Sequence, residues 1–185
     1  MFEELLERLE RALSKHKIPY MIIGGQAVLV YGEPRFSKDI DLTLGMEPAQ
    51  VDTLLKLLKP LGFKVLVDQP KTFVETTCIL PCQDAKTGLR LDFIFSFSAY
   101  ERQALERVRR VPIGKSKVAF ASAEDLVIHK IIAGRPRDLE DVKGILLKNP
   151  SLDVEYIRRW LAEFEKGLSQ PFLRQLADLQ RSLNP

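Results

Sequence analysis

The chain changes its pattern at Ser122, and this change constrains the fold more than any other feature. Before that residue, short apolar segments typical of β-strands alternate with helical segments. After it, helical patterns follow one another over about 123–133, 137–148, 153–167 and 171–183. Strands followed by helices predict an α+β fold, with a small mixed sheet flanked by helices and a C-terminal helical portion. We therefore predict two domains, residues 1–121 and 122–185, with the second packed on the first.

The composition is that of a globular protein. The 185 residues include 28 basic and 25 acidic side chains, a net charge of +3, and 45% of the chain is hydrophobic, which is enough to bury a core. No apolar run approaches the roughly 18 residues of a spanning helix. The first 15 residues predict an amphipathic helix that is acidic at its start, unlike a secretory signal. We expect a cytoplasmic protein that does not associate with membranes.

The strands of the first domain are predicted from short apolar runs. They are YMII (20–23), IDLTL (40–44), FKVLVD (63–68), TFVETTCIL (72–80), LRLDFIF (89–95), VPI (111–113) and KVAFA (117–121). Pro48 predicts the first turn of a helix that runs to about Leu58, and Asp153 predicts a helix cap. Cys78 and Cys82 lack the further ligands of a zinc site, so we expect buried or free thiols.

A glycine pair and an acid pair carry the chemistry of the predicted first domain. Gly24-Gly25 ends an apolar strand, and thirteen residues later Asp39-Ile40-Asp41 opens another. Because side chains alternate along a strand, Asp39 and Asp41 lie on one face. Two neighbouring carboxylates repel each other and are tolerated where a cation lies between them. Without Cβ atoms, the glycines let the backbone approach a phosphate at the start of the following helix.

A third acid fits the same site. In the segment 90–95, Leu91, Phe93 and Phe95 share one face of a strand, which leaves Asp92 on the other. If this strand lies beside that of Asp39 and Asp41, three carboxylates can hold two Mg²⁺ ions about 4 Å apart, with Mn²⁺ as the alternative. Such a centre suits phosphoryl transfer from a nucleoside triphosphate (NTP).

These residues resemble a known superfamily. The order strand, Gly-Gly, helix, thirteen residues, Asp-Ile-Asp on a strand, and a later strand with one Asp is similar to the DNA polymerase β-type nucleotidyltransferases over about residues 18–95. Many members have Gly-Ser where this chain has Gly-Gly, so a serine hydroxyl is missing as a phosphate ligand. The resemblance also implies phosphate contacts for Arg35 and Ser37.

The segment 122–142 resembles the AbiEii-like nucleotidyltransferases, which include toxins of toxin–antitoxin pairs. Carried over residue by residue, this resemblance implies that nucleotide binding and activity involve Lys130, Arg137, Asp138 and Asp141. Lysine is a good point-charge partner for a triphosphate, and either aspartate could orient it. The resemblance also implies a cognate antitoxin or another operon partner protein.

The predicted function is the transfer of a nucleoside monophosphate from an NTP to an acceptor hydroxyl, with release of pyrophosphate. Asp39, Asp41 and Asp92 would be the catalytic and metal-binding residues. Six basic residues and one acid between positions 102 and 117 favour tRNA or another RNA as the acceptor. The alternatives are a catalytically silent nucleotide-binding antitoxin or regulatory module, and an enzyme that modifies a small molecule such as an antibiotic, or a protein hydroxyl.

Overall fold

The computed structural model describes residues 2–34, 39–96 and 98–183. Within these ranges seven strands form one mixed sheet in the order β3-β4-β5-β2-β1-β7-β6. The strands are β1 Tyr20–Ile23, β2 Asp39–Leu44, β3 Phe63–Val65, β4 Ile79–Asp84, β5 Arg90–Phe95, β6 Arg109–Ile113 and β7 Ser116–Phe120. The α-helices are α1 Phe2–Lys15, α2 Gly24–Tyr31, α3 Val51–Leu58, α4 Pro70–Thr77, α5 Ala99–Glu106, α6 Ala123–Ala133, α7 Pro136–Lys148, α8 Val154–Leu168 and α9 Phe172–Leu183. This architecture confirms the predicted α+β class.

The two strands that matter for function are neighbours at the centre of the sheet. Strand β2 pairs in antiparallel fashion with β1 on one side and in parallel with β5 on the other. Alternate residues of both strands are buried in the core: Ile40, Leu42 and Leu44 on β2, and Leu91, Phe93 and Phe95 on β5. This period of two is the alternation that the sequence predicted for β5.

The chain divides into two compact units. The first comprises Met1–Gln26 and Ser37–Ala121 and contains the whole sheet. The second comprises Ala27–Phe36 and Ser122–Pro185, so that helices α6 to α9 belong to it. Within the second unit α6 contacts α7, α8 and α9. The sequence-based division into 1–121 and 122–185 stays a prediction about domains.

One predicted strand is wrong. Residues 72–77 form the greater part of α4, and β4 begins only at Ile79. Pro70 occupies the first turn, and Cys78, at φ 57°, ends the helix in the left-handed conformation. The hydroxyls of Thr76 and Thr77 donate to backbone carbonyls one turn earlier, at 2.8 Å each. Strand β3 is also shorter than predicted and ends at Val65.

Other local predictions are confirmed. A short 3₁₀ turn begins at Pro48 and leads into α3, and the Asp153 carboxylate accepts a hydrogen bond from the Tyr156 N–H at 2.9 Å at the start of α8. Both cysteines are free, and burial, together with the negative charge of Asp92, raises the pKa of the Cys82 thiol to about 12. Across the described ranges, no helix combines the length and the apolar character that crossing a bilayer requires.

Candidate active site

The predicted acids lie together on two neighbouring parallel strands. In the register of β2 and β5, Asp41 stands opposite Asp92, and Asp39 stands opposite Arg90. Residues in register on parallel strands point to the same face of a sheet, and the strands are about 4.8 Å apart. The three aspartates, Asp39, Asp41 and Asp92, therefore share one face at the beginning of β2, which we call the acidic face. Asp39 is exposed, whereas Asp41 and Asp92 are half-buried.

Gly24 brings bare backbone against one of these acids. Its φ is +65°, and a Cβ built on it would lie 2.2 Å from Oδ2 of Asp41. Strand β1 ends at Ile23, which pairs with Asp41, and α2 begins at Gly24. Only glycine combines this backbone conformation with such a close approach. The first turn of α2, including Gly25, thus starts beside the carboxylate, as the sequence predicted.

Arg90 is part of the acidic face, and the sequence analysis missed it. Its Nε donates to Oδ1 of Asp92 at 3.1 Å and its Nη2 donates to Oδ2 at 3.3 Å. The hydrogen bond and the charge of Asp92, with smaller contributions from Asp39 and Asp41, raise the pKa of the Arg90 guanidinium. The signal was present in the sequence, because a residue two positions before Asp92 on a strand lies on the same face.

The acidic face fits a hard divalent cation by its chemistry. It offers carboxylate oxygens, which are the ligands that Mg²⁺ prefers. In the side-chain positions found, however, no group of three or more His, Cys, Asp or Glu residues among the described ones could hold a metal ion. Both oxygens of Asp92 bind the guanidinium of Arg90 instead. The carboxylates would have to turn toward one another to share an ion.

The second unit contains a buried cluster of charges. Lys130 is 4% exposed, and its Nζ lies 2.6 Å from Oδ1 of Asp138 and 2.8 Å from Oδ2 of Asp141. Arg135 donates to the other oxygen of Asp138 at 2.5 Å. Burial alone would raise the pKa of Asp138, but the hydrogen bonds from Arg135 and Lys130 outweigh it and lower that pKa. The predicted pairing of Lys130 with these aspartates is thus seen, whereas its role toward a triphosphate stays a prediction.

The remaining predicted site residues are Arg137, Arg35 and Ser37. Arg137 is exposed in the first turn of α7 and lines a cavity of about 300 Å³ within the second unit, with Glu33, Glu140 and Asp141. Arg35 and Ser37 lie outside the described residues, so their predicted phosphate contacts stay predictions.

The predicted basic patch lies on α5 and on the hairpin of β6 and β7. Its exposed members are Arg102, Arg109, Arg110, Lys115 and Lys117, and Arg107 is half-buried. Arg110 is also near Glu10, with 3.5 Å between its Nη1 and Oε1 of that residue. Strand β6 is an edge of the sheet, so this side of the hairpin has no neighbouring strand among the described residues.

Sheet order, paired strands and the glycine turn together define a nucleotidyltransferase-like fold. The chain belongs to the family DUF6036, described as a nucleotidyltransferase of unknown function, whose profile matches residues 1–170. This membership confirms the resemblance to nucleotidyltransferases, and it leaves the AbiEii-like subtype as a prediction. No curated protein sequence matches the chain significantly.

Solved structures show the same fold at low sequence identity. The chain is similar to the antibiotic-resistance factor ANT(2'')-Ia in solution, with a TM-score of 0.60, 18% identity, and 90% of this chain and 92% of the other covered. It is also similar to an antigenic nucleotidyltransferase-like protein from Paracoccidioides brasiliensis, with a TM-score of 0.59, 18% identity, and 98% and 91% of the two chains covered. A crystal structure of ANT(2'')-Ia in complex with adenylyl-2''-tobramycin gives a TM-score of 0.58 at 18% identity, with 89% and 97% covered.

Proposed function

We propose that this protein transfers a nucleoside monophosphate from an NTP to an acceptor hydroxyl and releases pyrophosphate. The observation that carries the proposal is the register of β2 and β5, in which Asp39, Asp41 and Asp92 share one face beside the bare backbone of Gly24. The chain's membership in a nucleotidyltransferase family supports the same class of reaction. In this reaction the acceptor oxygen attacks the α-phosphorus and loses its proton, while the bond to the pyrophosphate oxygen breaks.

Asp39, Asp41 and Asp92 are the residues that would hold Mg²⁺ or Mn²⁺. Such an ion, when bound, neutralises the triphosphate and lowers the pKa of the acceptor hydroxyl. Backbone N–H groups at Gly24 and Gly25, at the start of α2, cradle the phosphates, because the first turn of a helix presents N–H groups that have no partner within the helix. Arg90 holds Asp92 in place through its two hydrogen bonds until the site is loaded.

We extend the proposal to the residues implied by the AbiEii-like resemblance. Lys130 and the exposed Arg137 are the cations proposed to bind the triphosphate, and Asp138 and Asp141 orient Lys130 through their ion pairs. Arg35 and Ser37 complete this proposed set. An AbiEii-like identity would also bring a cognate antitoxin or an operon partner protein.

The reaction is tested with α-labelled NTPs and the variants Asp41→Asn and Asp92→Asn. Each should lower incorporation of label by about a thousandfold, because each removes an oxygen that the cation needs. Asp52→Asn is the matched control, since Asp52 is an exposed acid of α3 that pairs with Lys71 at 2.7 Å. Calorimetry with NTP and Mg²⁺, together with the labelling assay, distinguishes this enzyme from a catalytically silent module. A silent module would bind nucleotide, but the unmodified protein would show no turnover.

For the acceptor we propose tRNA or another RNA. The exposed cations of α5 and of the β6–β7 hairpin support this choice, since a basic surface attracts the phosphate backbone. The assay above, supplied with total tRNA, should yield labelled RNA. The same assay is also supplied with cell protein. Label found only in that protein would instead favour modification of a protein hydroxyl.

A small-molecule acceptor is the second candidate. ANT(2'')-Ia, which shares the fold, has a structure in complex with adenylyl-2''-tobramycin. In this chain the acidic face of β2 and β5 would attract a cationic drug. A panel of aminoglycosides in the same labelling assay tests this candidate, and modification of a drug without modification of RNA would replace the first choice.

A further inference from the structure

A large concavity of the first unit lies outside the acidic face. It is a groove of about 760 Å³ between α1 on one side and α3 with the following turn on the other, and Lys86 and Thr87 of the β4–β5 turn also line it. Asp39, Asp41, Asp92 and Gly24 do not line it. The proposed transfer reaction therefore gives this groove no role.

The floor of the groove is aliphatic. Leu5 and Ala12 of α1 face Leu57, Pro60 and Leu61 across it. Leu5 and Leu57 are buried, whereas Ala12 and Leu61 are half-buried and Pro60 is exposed. The accessible part of this floor would gain from being covered by apolar side chains.

The rim of the groove is cationic. Five of the lining residues are lysines or arginines: Arg8, Arg11, Lys15, Lys56 and Lys86. Glu4 is the one acid among the described residues that line the groove. Lys15 and Lys56 are exposed on opposite sides. Arg8, Arg11 and Lys86 pair with Asp84, Glu7 and Glu4, so the positive potential that favours an acidic ligand comes chiefly from Lys15 and Lys56.

One cation of the rim is fixed in place. Arg8 pairs with the fully buried carboxylate of Asp84, which also accepts hydrogen bonds from the N–H and hydroxyl of Thr87 at 2.9 and 2.7 Å. The guanidinium lies 5.4 Å from the centre of the Phe63 ring. A cation held in this way loses little freedom when a ligand binds.

We propose that this groove binds an acidic amphipathic helix of a partner protein. Such a helix places its apolar stripe on the aliphatic floor and its carboxylates against the rim, which is the helix-in-groove mode of recognition. A nucleic acid fits less well, because the described lining residues offer only one aromatic ring, that of His16, on which a base could stack. A second copy of this chain is also disfavoured, because its net charge is +3.

The test uses the full chain and a labelled peptide of about 18 residues, with leucine at helical i, i+3, i+4 and i+7 spacing and glutamate elsewhere. A peptide of the same composition with its leucines scrambled is the first control, and a uridine oligonucleotide is the second. We expect the amphipathic peptide to bind at least about tenfold more tightly than the scrambled one.

Two variants locate the binding. The double variant Lys15→Glu/Lys56→Glu should weaken peptide binding about tenfold, and Ala12→Gln should weaken it by filling the floor without changing charge. Lys64→Glu/Lys71→Glu is the matched control, because both lysines are exposed in the first unit and lie outside the groove and outside the basic patch. Circular dichroism verifies that each variant folds.

The proposal is overturned if the two peptides bind equally, or if the groove and control variants behave alike. It is also overturned if the groove variant weakens binding of the oligonucleotide and leaves peptide binding unchanged, since the groove would then be a nucleic-acid site. Self-association that disappears in Lys15→Glu/Lys56→Glu would assign the groove to a second copy and overturn it as well.

Discussion

Gly24 links backbone conformation to the carboxylate chemistry of the site. In Gly24→Ala the new methyl group would lie 2.2 Å from Oδ2 of Asp41, on a backbone with φ +65°. The left-handed conformation alone costs an alanine about 1–2 kcal/mol, and the collision also displaces Asp41. We expect nucleotide transfer to fall by about a hundredfold or more.

Gly62→Ala provides the matched control for this substitution. Gly62 also has a positive φ, +78°, but nothing lies within 4 Å of the position of its Cβ. The control should lose a similar amount of stability in urea unfolding, about 1–2 kcal/mol, because its backbone has the same left-handed conformation. It should keep its activity. Equal activity of the two variants would mean that the contact with Asp41 is unimportant.

Arg90 competes with any cation on the acidic face, because it binds both oxygens of Asp92. In Arg90→Gln this positive charge is gone, so a metal ion should bind the carboxylates more tightly. We expect the Mg²⁺ concentration for half-maximal activity to fall by about threefold or more. The stability should change by less than about 1 kcal/mol, since half of the Arg90 side chain is exposed. An unchanged or raised requirement for Mg²⁺ would contradict this interpretation.

The sequence predicted the acids and glycines of the site because strand periodicity fixes which face a residue occupies. It could not predict that β2 and β5 are in register at Asp41 and Asp92, since pairing depends on contacts distant in the sequence. Arg90 was missed because an arginine at the start of a strand is usually solvated. The burial of Lys130 was equally hidden, because a single lysine in a helix is far more often exposed.

A buried ion cluster joins helices α6 and α7, so breaking it should lower the stability of the protein. Lys130→Met removes the cation that Asp138 and Asp141 share and leaves two buried carboxylates behind. We expect a loss of about 3–5 kcal/mol in the free energy of unfolding, measured by urea denaturation. Lys166→Met is the control, because Lys166 pairs with Glu163 on an exposed surface and should cost less than about 1 kcal/mol.

Lowering the pH should reduce the free energy of unfolding through protonation of Asp138, which lies in the ion cluster between α6 and α7. Hydrogen bonds from Arg135 and Lys130 keep its pKa in the folded chain below the ordinary value of 3.8, although burial opposes them. A lowered folded pKa stabilises the protein above 3.8, and this stabilisation is lost as the pH falls through the folded value. Unfolding free energies measured between about pH 5 and pH 2 should therefore fall more steeply for the unmodified protein than for Asp138→Asn. Parallel curves would mean that Asp138 does not carry the effect.

The four C-terminal helices were predicted within one or two residues, whereas α4 was mistaken for a strand. Helices α6 to α9 have apolar residues at helical spacing and clear ends, such as the Ser122 and Asp153 caps. In α4, by contrast, threonine and valine gave a local preference for strand. The helix instead depends on Pro70 at its start and on burial of Val74, a tertiary contact that composition does not reveal.

The whole molecule carries a charge of only +3, so any attraction for RNA must come from where its cations are placed. Arg109 and Arg110 are exposed on the edge strand β6, at the centre of the basic patch. If each neutralises one phosphate, the slope of log affinity against log salt should become shallower by about 2 in Arg109→Ala/Arg110→Ala. Filter binding of tRNA at several salt concentrations measures this slope. The control Arg158→Ala/Arg181→Ala removes the same charge from exposed positions of α8 and α9 and should leave the slope unchanged. Equal slopes in the unmodified protein, the variant and the control would place RNA binding elsewhere.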